Sequence, residues 1–447
     1  MPLTQELGQF AATQSFERTP KEAVEIARTG FIDTVATMIA GSQDGAAQLL
    51  LKVLNPGAGD ATLYFSREHC TAPEAAWING TAGHALDYDD VGCRGHVSTV
   101  LVPAILAEAE TLDLSGRDML AAYVAGYEAW AELSRRDPGH HHVKGWHPTG
   151  IFGAIGAGAA CAALRRLNPE LATSAIALSA SQAGGIMANF GTMTKPFHAG
   201  RAAHAGVVSA RLAKAGFTAA ADALEHPQGF LSAVSPDGRA DRDGPTPRFG
   251  EEWHIVKSGL SIKKYPACYC THRSLDAMLD LLAEHPLKPA DIAKITVAIS
   301  KTHSLILRNH TPRTGLEAKF SMEFAMAAAV LARRASLAEY ADSFVRRPEV
   351  QDLMKRVTIV TNEDYDPVQV GASVHDQVTV DLAGGGQLKS EQVHRARGHA
   401  ERPLSEADLF EKFRTCLDAG HARISPEALF DRLRDLETIS ARELTKI

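Results

Sequence analysis

Gly150-Ile151-Phe152-Gly153-Ala154-Ile155-Gly156-Ala157-Gly158-Ala159-Ala160-Cys161-Ala162-Ala163-Leu164 is the stretch on which the fold turns. Its glycines do not fall into G-x-G-x-x-G, and no strand-like run precedes them, so it does not read as a dinucleotide-binding turn. Small residues at this density let neighbouring helices approach closely, and the stretch predicts a helix buried among other helices. It is too short and too rich in Gly and Ala to span a bilayer.

On either side the chain keeps a helical rhythm from Thr19 to about Gly216. Thr19-Pro20 reads as an N-cap with proline at the first helical position, and Val24, Ala27, Phe31, Val35 and Ile39 recur at helical spacing up to Gly41. Ser115 and Asp118 form an acidic variant of the capping box. A further helix is expected from Arg201 to Lys214, ending at Gly216. After His226 a stretch rich in Gly, Pro and charge reads as a long loop. Alternation follows at Ile295, Val297 and Ile299, at Val357, Ile359 and Thr361, and at Val378, Val380 and Leu382, the last leading into a Gly384-Gly385-Gly386 turn. Ser321 to Ala335 reads as a helix between these strands, and Ser405 and Ser425-Pro426 cap two more helices near the C-terminus. The expected class is mainly α. Residues 1–271 and 396–447 are read as a large all-α helical domain, and 272–395 as a smaller α+β lid domain with an antiparallel sheet.

The chain has 447 residues, 45% hydrophobic and 22% charged, which excludes a disordered, collagenous or disulfide-stapled protein. Its 46 basic and 53 acidic residues leave a formal charge of −7, so nucleic acid and acidic membranes are not expected partners. Six scattered cysteines, with no C-x-x-C pair, indicate a reducing compartment and offer no zinc or iron–sulfur ligand set. The N-terminus lacks a basic start followed by an apolar run, so no signal peptide is expected and the cytoplasm is the default location.

Four polar stretches interrupt the apolar helices. Gly83-His84-Ala85-Leu86-Asp87-Tyr88-Asp89-Asp90, followed by Arg94-Gly95-His96, places three acids at the negative end of a helix. A metal, nearby cations with an acid orienting a histidine, or a solvated loop would each account for it. Lys144-Gly145-Trp146-His147-Pro148-Thr149-Gly150 puts a histidine and backbone donors at a helix start, a good place for an anion. The neighbouring His140-His141-His142 run is a poor metal site, because consecutive residues seldom converge on one ion. Gly191-Thr192-Met193-Thr194-Lys195-Pro196-Phe197-His198 holds a lysine that suits a substrate carboxylate or a base of lowered pKa, unless it is simply an exposed loop lysine. Lys263-Lys264-Tyr265-Pro266-Ala267-Cys268-Tyr269-Cys270-Thr271-His272-Arg273 is rich in cations. Cys268 there reads as a nucleophile or, more simply, as a small buried hydrophobe.

These four segments, in this order and spacing, resemble the hallmark stretches of the MmgE/PrpD family over nearly the whole chain. That family includes 2-methylcitrate dehydratase, cis-aconitate decarboxylase and iminodisuccinate epimerase. The resemblance implies a large helical domain with an α+β lid, a homodimer, no metal and no organic cofactor. It further implies Asp87, His96, His147, Lys195 and His272 as catalytic residues, with Arg94, Lys263 and Thr194 binding substrate. Phe324 stands where the decarboxylase has a tyrosine, so a possible hydroxyl donor is missing. Arg94-Gly95-His96 and Cys268-Tyr269 look closer to the epimerase branch.

The shared chemistry is removal of a proton from carbon beside a carboxylate while cations hold the developing charge. The first expectation is a cofactor-independent lyase of the dehydratase type acting on a small di- or tricarboxylate such as citrate or 2-methylcitrate. An epimerase of an iminodisuccinate-like dicarboxylate is the second, and a non-catalytic helical scaffold the third. Asp87 is expected to orient His96 or His147, and the catalytic histidine to titrate near neutrality.

Overall fold

The computed structural model describes residues 1–246, 248–369 and 371–446. Cα packing divides the chain into a unit made of Met1–Ala188, Met193–Ser261 and Ser405–Ile447 and a second made of Asn189–Thr192 and Ile262–Leu404.

The first unit is built of helices. Those that matter most here are α1 (Lys21–Gly41), α2 (Ala72–Ala85), α3 (Ser98–Leu112), α4 (Gly116–Arg136), α5 (Pro148–Leu164), α6 (Pro169–Ala180) and α7 (Thr194–Lys214). The small-residue stretch is α5, and nearly all of it is buried. A Cβ on Gly200 of α7 would lie 2.1 Å from the Trp77 carbonyl oxygen of α2, and one on Gly206 would lie 2.3 Å from Ala157 Cβ of α5. Helix α7 therefore sits against both neighbours at a separation only glycine permits. The Ser115–Asp118 capping box opens α4 as expected.

Two helix starts differ from the reading of the sequence. Helix α1 begins at Lys21 with Pro20 as its N-cap. The Thr19 hydroxyl instead donates to the Ser15 carbonyl (2.9 Å), which removes it as a cap. Helix α7 begins at Thr194 rather than Arg201. Pro196 falls in its first turn, where a missing N–H breaks no intrahelical bond.

The second unit carries α8 (His272–Glu284), α9 (Met322–Ala332) and a four-stranded sheet. Its strands are β1 (Ile292–Ser300), β2 (Val357–Asn362), β3 (Gln377–Leu382) and β4 (Gln387–Lys389), in spatial order β2-β1-β3-β4. β1–β3 and β3–β4 are antiparallel, but β1–β2 is parallel, with Ile295 opposite Val357. The sheet is thus mixed, not wholly antiparallel: β1 and β2 are joined by a long helical crossover, which permits parallel pairing, whereas the tight Gly384–Gly386 turn does not. Ile295, Val297, Ile299, Val378 and Val380 are fully buried, while Thr361 on the edge strand is exposed. Helix Glu406–Ala419 (α10) returns to the first unit, where Lys412 pairs with Asp33 of α1 and donates to the Tyr88 carbonyl. Among the described residues no helix is long and apolar enough to cross a membrane.

Candidate active site

Four segments of the helical unit converge on one buried cluster. Helix α2 ends just after His84, and the loop that follows carries Asp87, Asp89 and His96. His147 is the N-cap residue of α5, and α7 places Lys195 and His198 three residues apart in its first turns. Asp87 holds φ 51°, a left-handed turn that redirects the chain immediately beyond the helix. Lys195 Nζ donates to Asp87 Oδ1 (2.8 Å) and to His84 Nε2 (2.9 Å). On its other side His84 Nδ1 lies 2.9 Å from both oxygens of Asp89. His96 Nδ1 lies 3.1 Å from Asp89 Oδ2 and 2.9 Å from the Asp90 carbonyl, and its Nε2 is 3.8 Å from Asp87. The His147 and His198 Nδ1 atoms are 3.1 Å apart, so one ring donates and the other accepts.

Asp87 Oδ1 accepts from Lys195 and lies 3.8 Å from His96 Nε2, while Asp89 makes the shorter contacts to the His84 and His96 nitrogens. One difference from the expectation that Asp87 orients His96 or His147 is that these shorter histidine contacts are made by Asp89. The second difference is electrostatic. Burial, then Lys195 and the neighbouring imidazoles, holds His147 well below the usual histidine range, so it does not titrate near neutrality. Burial and Lys195, against the pull of Asp89, bring His84 to about 3. Burial, then His84 and Lys195, brings His198 to about 4. Burial works against Asp89 ionising, yet His84 and His96 keep it well below the carboxylate range. The arrangement sets the neutral imidazoles of His84, His147 and His198 around one ammonium and two carboxylates. It can accept protons, and it gains from an incoming anion.

His84, Asp87, Asp89 and His96 each offer a ligand atom within 4.8 Å of the others, a donor set that divalent cations take. Two of the four are acceptors of the Lys195 ammonium, so the chain itself supplies positive charge at their centre. Gly185 supports the cluster: its carbonyl accepts from the His147 N–H (3.0 Å), its φ is +126°, and a Cβ there would meet His198 Cγ at 3.0 Å. Thr149 Oγ1 accepts from the His96 N–H (3.1 Å).

Other candidates fall elsewhere. Thr194 is the first residue of α7 and half-buried. The Arg94 guanidinium donates to the Asp137 (2.6 Å) and Gly139 (3.3 Å) carbonyls, which fastens the loop to the end of α4. His141 belongs to a short helix, His141–Lys144, and faces Asp137 at 3.6 Å. In the α+β unit Lys263 is fully buried. His272, also fully buried, packs against the Tyr265 and Tyr269 rings, its Nε2 3.3 Å from the Ala267 carbonyl. Cys268 and Cys270 are free thiols, and hydrogen bonding to Cys268 with burial pushes the Cys270 thiol well up, which leaves it unreactive. Phe324 packs edge-on against Tyr340, ring centroids 5.1 Å apart.

Three residues of the cluster were not singled out from the sequence. His84 and Asp89 lie inside the quoted acidic stretch, five residues apart across a helix end. No periodicity brings such a pair together, since the turn at Asp87 does it. His198 was hidden because the segment read as a loop. Had α7 been started at Thr194, the i, i+3 spacing to Lys195 would have put both on one helical face.

The buried cluster, set in a mainly α fold, brings imidazoles, carboxylates and an ammonium together in one place. Residues 5–243 match the MmgE/PrpD N-terminal domain and residues 265–429 the MmgE/PrpD C-terminal domain. The chain belongs to the MmgE/PrpD family. It is 28% identical to human cis-aconitate decarboxylase over 382 residues, covering 82% of this chain and 76% of that protein. It is 25% identical to the Aspergillus terreus cis-aconitate decarboxylase over 446 residues, covering 92% and 89%. A 2-methylcitrate dehydratase of Cupriavidus necator is 30% identical over 177 residues, covering 37% and 36%.

Proposed function

We propose that the protein is a cofactor-independent lyase that moves a proton at a carbon beside a carboxylate of a small di- or tricarboxylate. The observation that carries this reading is the Lys195 ammonium, held by Asp87 and His84 among neutral imidazoles. An ammonium stabilises negative charge developing on a carboxylate-bearing carbon, and a neutral imidazole accepts the proton. His147 is assigned the proton transfer and Lys195 a substrate carboxylate. Lys263, Arg94, Thr194 and His272 keep the binding and catalytic roles that the family resemblance implies. Once a polyanion binds, its charge raises the imidazoles and makes the same histidine able to return the proton. Expulsion of β-hydroxide as water then gives dehydration, the first choice, and loss of carbon dioxide, with a proton delivered by the protonated histidine to the carbon that takes the bonding pair, gives decarboxylation, the activity named for the relatives matched over most of the chain.

Epimerisation is the second reading. His96 and His147, with ring centroids 6.5 Å apart, are two bases able to address opposite faces of one carbon. Proton NMR in deuterated buffer with citrate, 2-methylcitrate, cis-aconitate and imino- or hydroxysuccinates tests both readings. A lyase gives a new alkene or carbon dioxide, and an epimerase incorporates deuterium without net loss. Absence of both for every substrate overturns the proposal. The resemblance also supports a cytoplasmic homodimer, which light scattering at micromolar concentration checks for assembly.

A further inference from the structure

We propose that Asp89, fully buried beneath the cluster, is its positioning residue, and that one carboxylate sets the tautomers of two histidines at once. The inference rests on the acid–base reading above and adds to it a residue that never meets the substrate. An ionised carboxylate only accepts hydrogen bonds. His84 Nδ1 lies 2.9 Å from both Asp89 oxygens, so it must carry a proton. His96 Nδ1 lies 3.1 Å from Asp89 Oδ2 and 2.9 Å from the Asp90 carbonyl, two acceptors again, so it too is protonated. The carboxylate thereby places a proton on each Nδ1, and a neutral ring fixed in this way keeps its lone pair on Nε2.

The two lone pairs do different work. His84 Nε2 is the acceptor that holds the Lys195 ammonium at 2.9 Å, beside Asp87 at 2.8 Å. Were His84 the other tautomer, its Nε2–H would point a donor at the ammonium, and Lys195 would lose that anchor. On His96, Nε2 lies on the side of the ring that faces Asp87, 3.8 Å away, and with the proton fixed on Nδ1 it is the nitrogen left to act as a general base. Asp89 thereby couples the placement of the cation to the readiness of a base.

The test replaces the charge and keeps the shape. Asp89→Asn presents an amide that either accepts from or donates to Nδ1, so both tautomers become populated. Loss of the carboxylate that orients a catalytic imidazole lowers turnover by up to about 10⁴-fold, and here kcat is expected to fall at least about 100-fold, with KM rising as well because Lys195 loses its His84 anchor. His84→Gln, whose amide oxygen can still accept from Lys195, should retain turnover far better than His84→Met, which cannot. A purely structural role would not separate those two. The tautomers are read directly, without substrate, from long-range proton–nitrogen spectra of [15N]histidine-labelled protein, with His84→Gln and His96→Gln assigning the signals. Nδ1–H signals for both rings, changed in Asp89→Asn, support the proposal. An Nε2–H signal for either ring in the wild-type protein overturns it, as does a folded Asp89→Asn variant with unaltered kcat. If Asp89→Asn does not fold, the wild-type spectra still decide the assignment. If no carboxylate is turned over, the functional reading fails while the spectra report on Asp89 independently.

Discussion

Two buried cations, Lys195 in the helical unit and Arg273 in the α+β unit, come from sequence stretches that look alike in charge and differ in what surrounds them. Arg273 donates to Asp376 Oδ1 (2.6 Å), to the Ser373 carbonyl (2.8 Å) and to Ser373 Oγ (3.1 Å), and Asp376 also accepts from Ser274 and Ser373. That pair ties the start of α8 to the segment entering β3. Lys195 donates to the Asp87 carboxylate and to the neutral His84 imidazole, and the imidazoles of His147 and His198 are close by. Arg273, Asp376, Ser373 and Ser274 spend their hydrogen bonds on one another, so the pair serves as a clamp. A lysine among imidazoles held below their ordinary range keeps groups whose charge an arriving anion can change.

The largest expected contrast between the two regions is in turnover. His147→Gln should lower kcat by roughly two to four orders of magnitude with the far-ultraviolet spectrum intact, as general acid–base catalysis requires. Arg273→Met should do the reverse. It strands the buried Asp376 carboxylate and is expected to lower stability by about 3–5 kcal/mol in urea unfolding, while the folded fraction keeps its turnover. Near-normal kcat in the histidine variant, or a stable but inactive Arg273→Met, would erase the distinction.

A smaller effect sharpens it through pH. His84 and His198 bind protons at about 3 and about 4 in the folded chain, against 6.5 unfolded. Between these values the unfolded chain takes up protons that the folded chain refuses. Stability therefore rises with pH through this window, and is lost as pH falls below 6.5, by about 1.4 kcal/mol per pH unit for each such histidine. Urea midpoints at pH 7 and pH 5 measure the slope, and His84→Gln should flatten it. The smallest effect concerns the frame of the cluster. Gly185→Ala puts a side chain at φ +126° and against the His198 ring, costing about 1–3 kcal/mol of stability. It should also depress kcat, since His198 and His147 move together, and an unchanged kcat would detach His198 from the site.

Much of the architecture was legible from local signals. The small-residue run of α5, the Ser115–Asp118 box and the alternation at Ile295, Val297 and Ile299 are periodic or short-range features, each readable within one element. The start of α7 was not, because Gly191, Pro196 and the glycines that follow carry loop propensity that packing against α2 and α5 overrides. The parallel β1–β2 pairing was not legible either, since strand direction depends on where a long connection returns.

The same division holds in the cluster. Composition and motif order alone determined that this is a mainly α chain with histidines, acids and lysines set at helix ends. The resemblance of the motif stretches to the MmgE/PrpD hallmarks implied Asp87, His96, His147 and Lys195 as members. Which acid meets which base was decided only by the fold. Asp87 and Asp89 are two residues apart in one acidic run, yet a left-handed turn sends one to Lys195 and the other to His84 and His96. Burial then shifted the imidazoles away from their ordinary pKa. Sequence specifies which ionisable groups exist. Their proton affinities and partners depend on desolvation and on distances of a few ångströms between residues far apart in the chain, and only tertiary packing sets those.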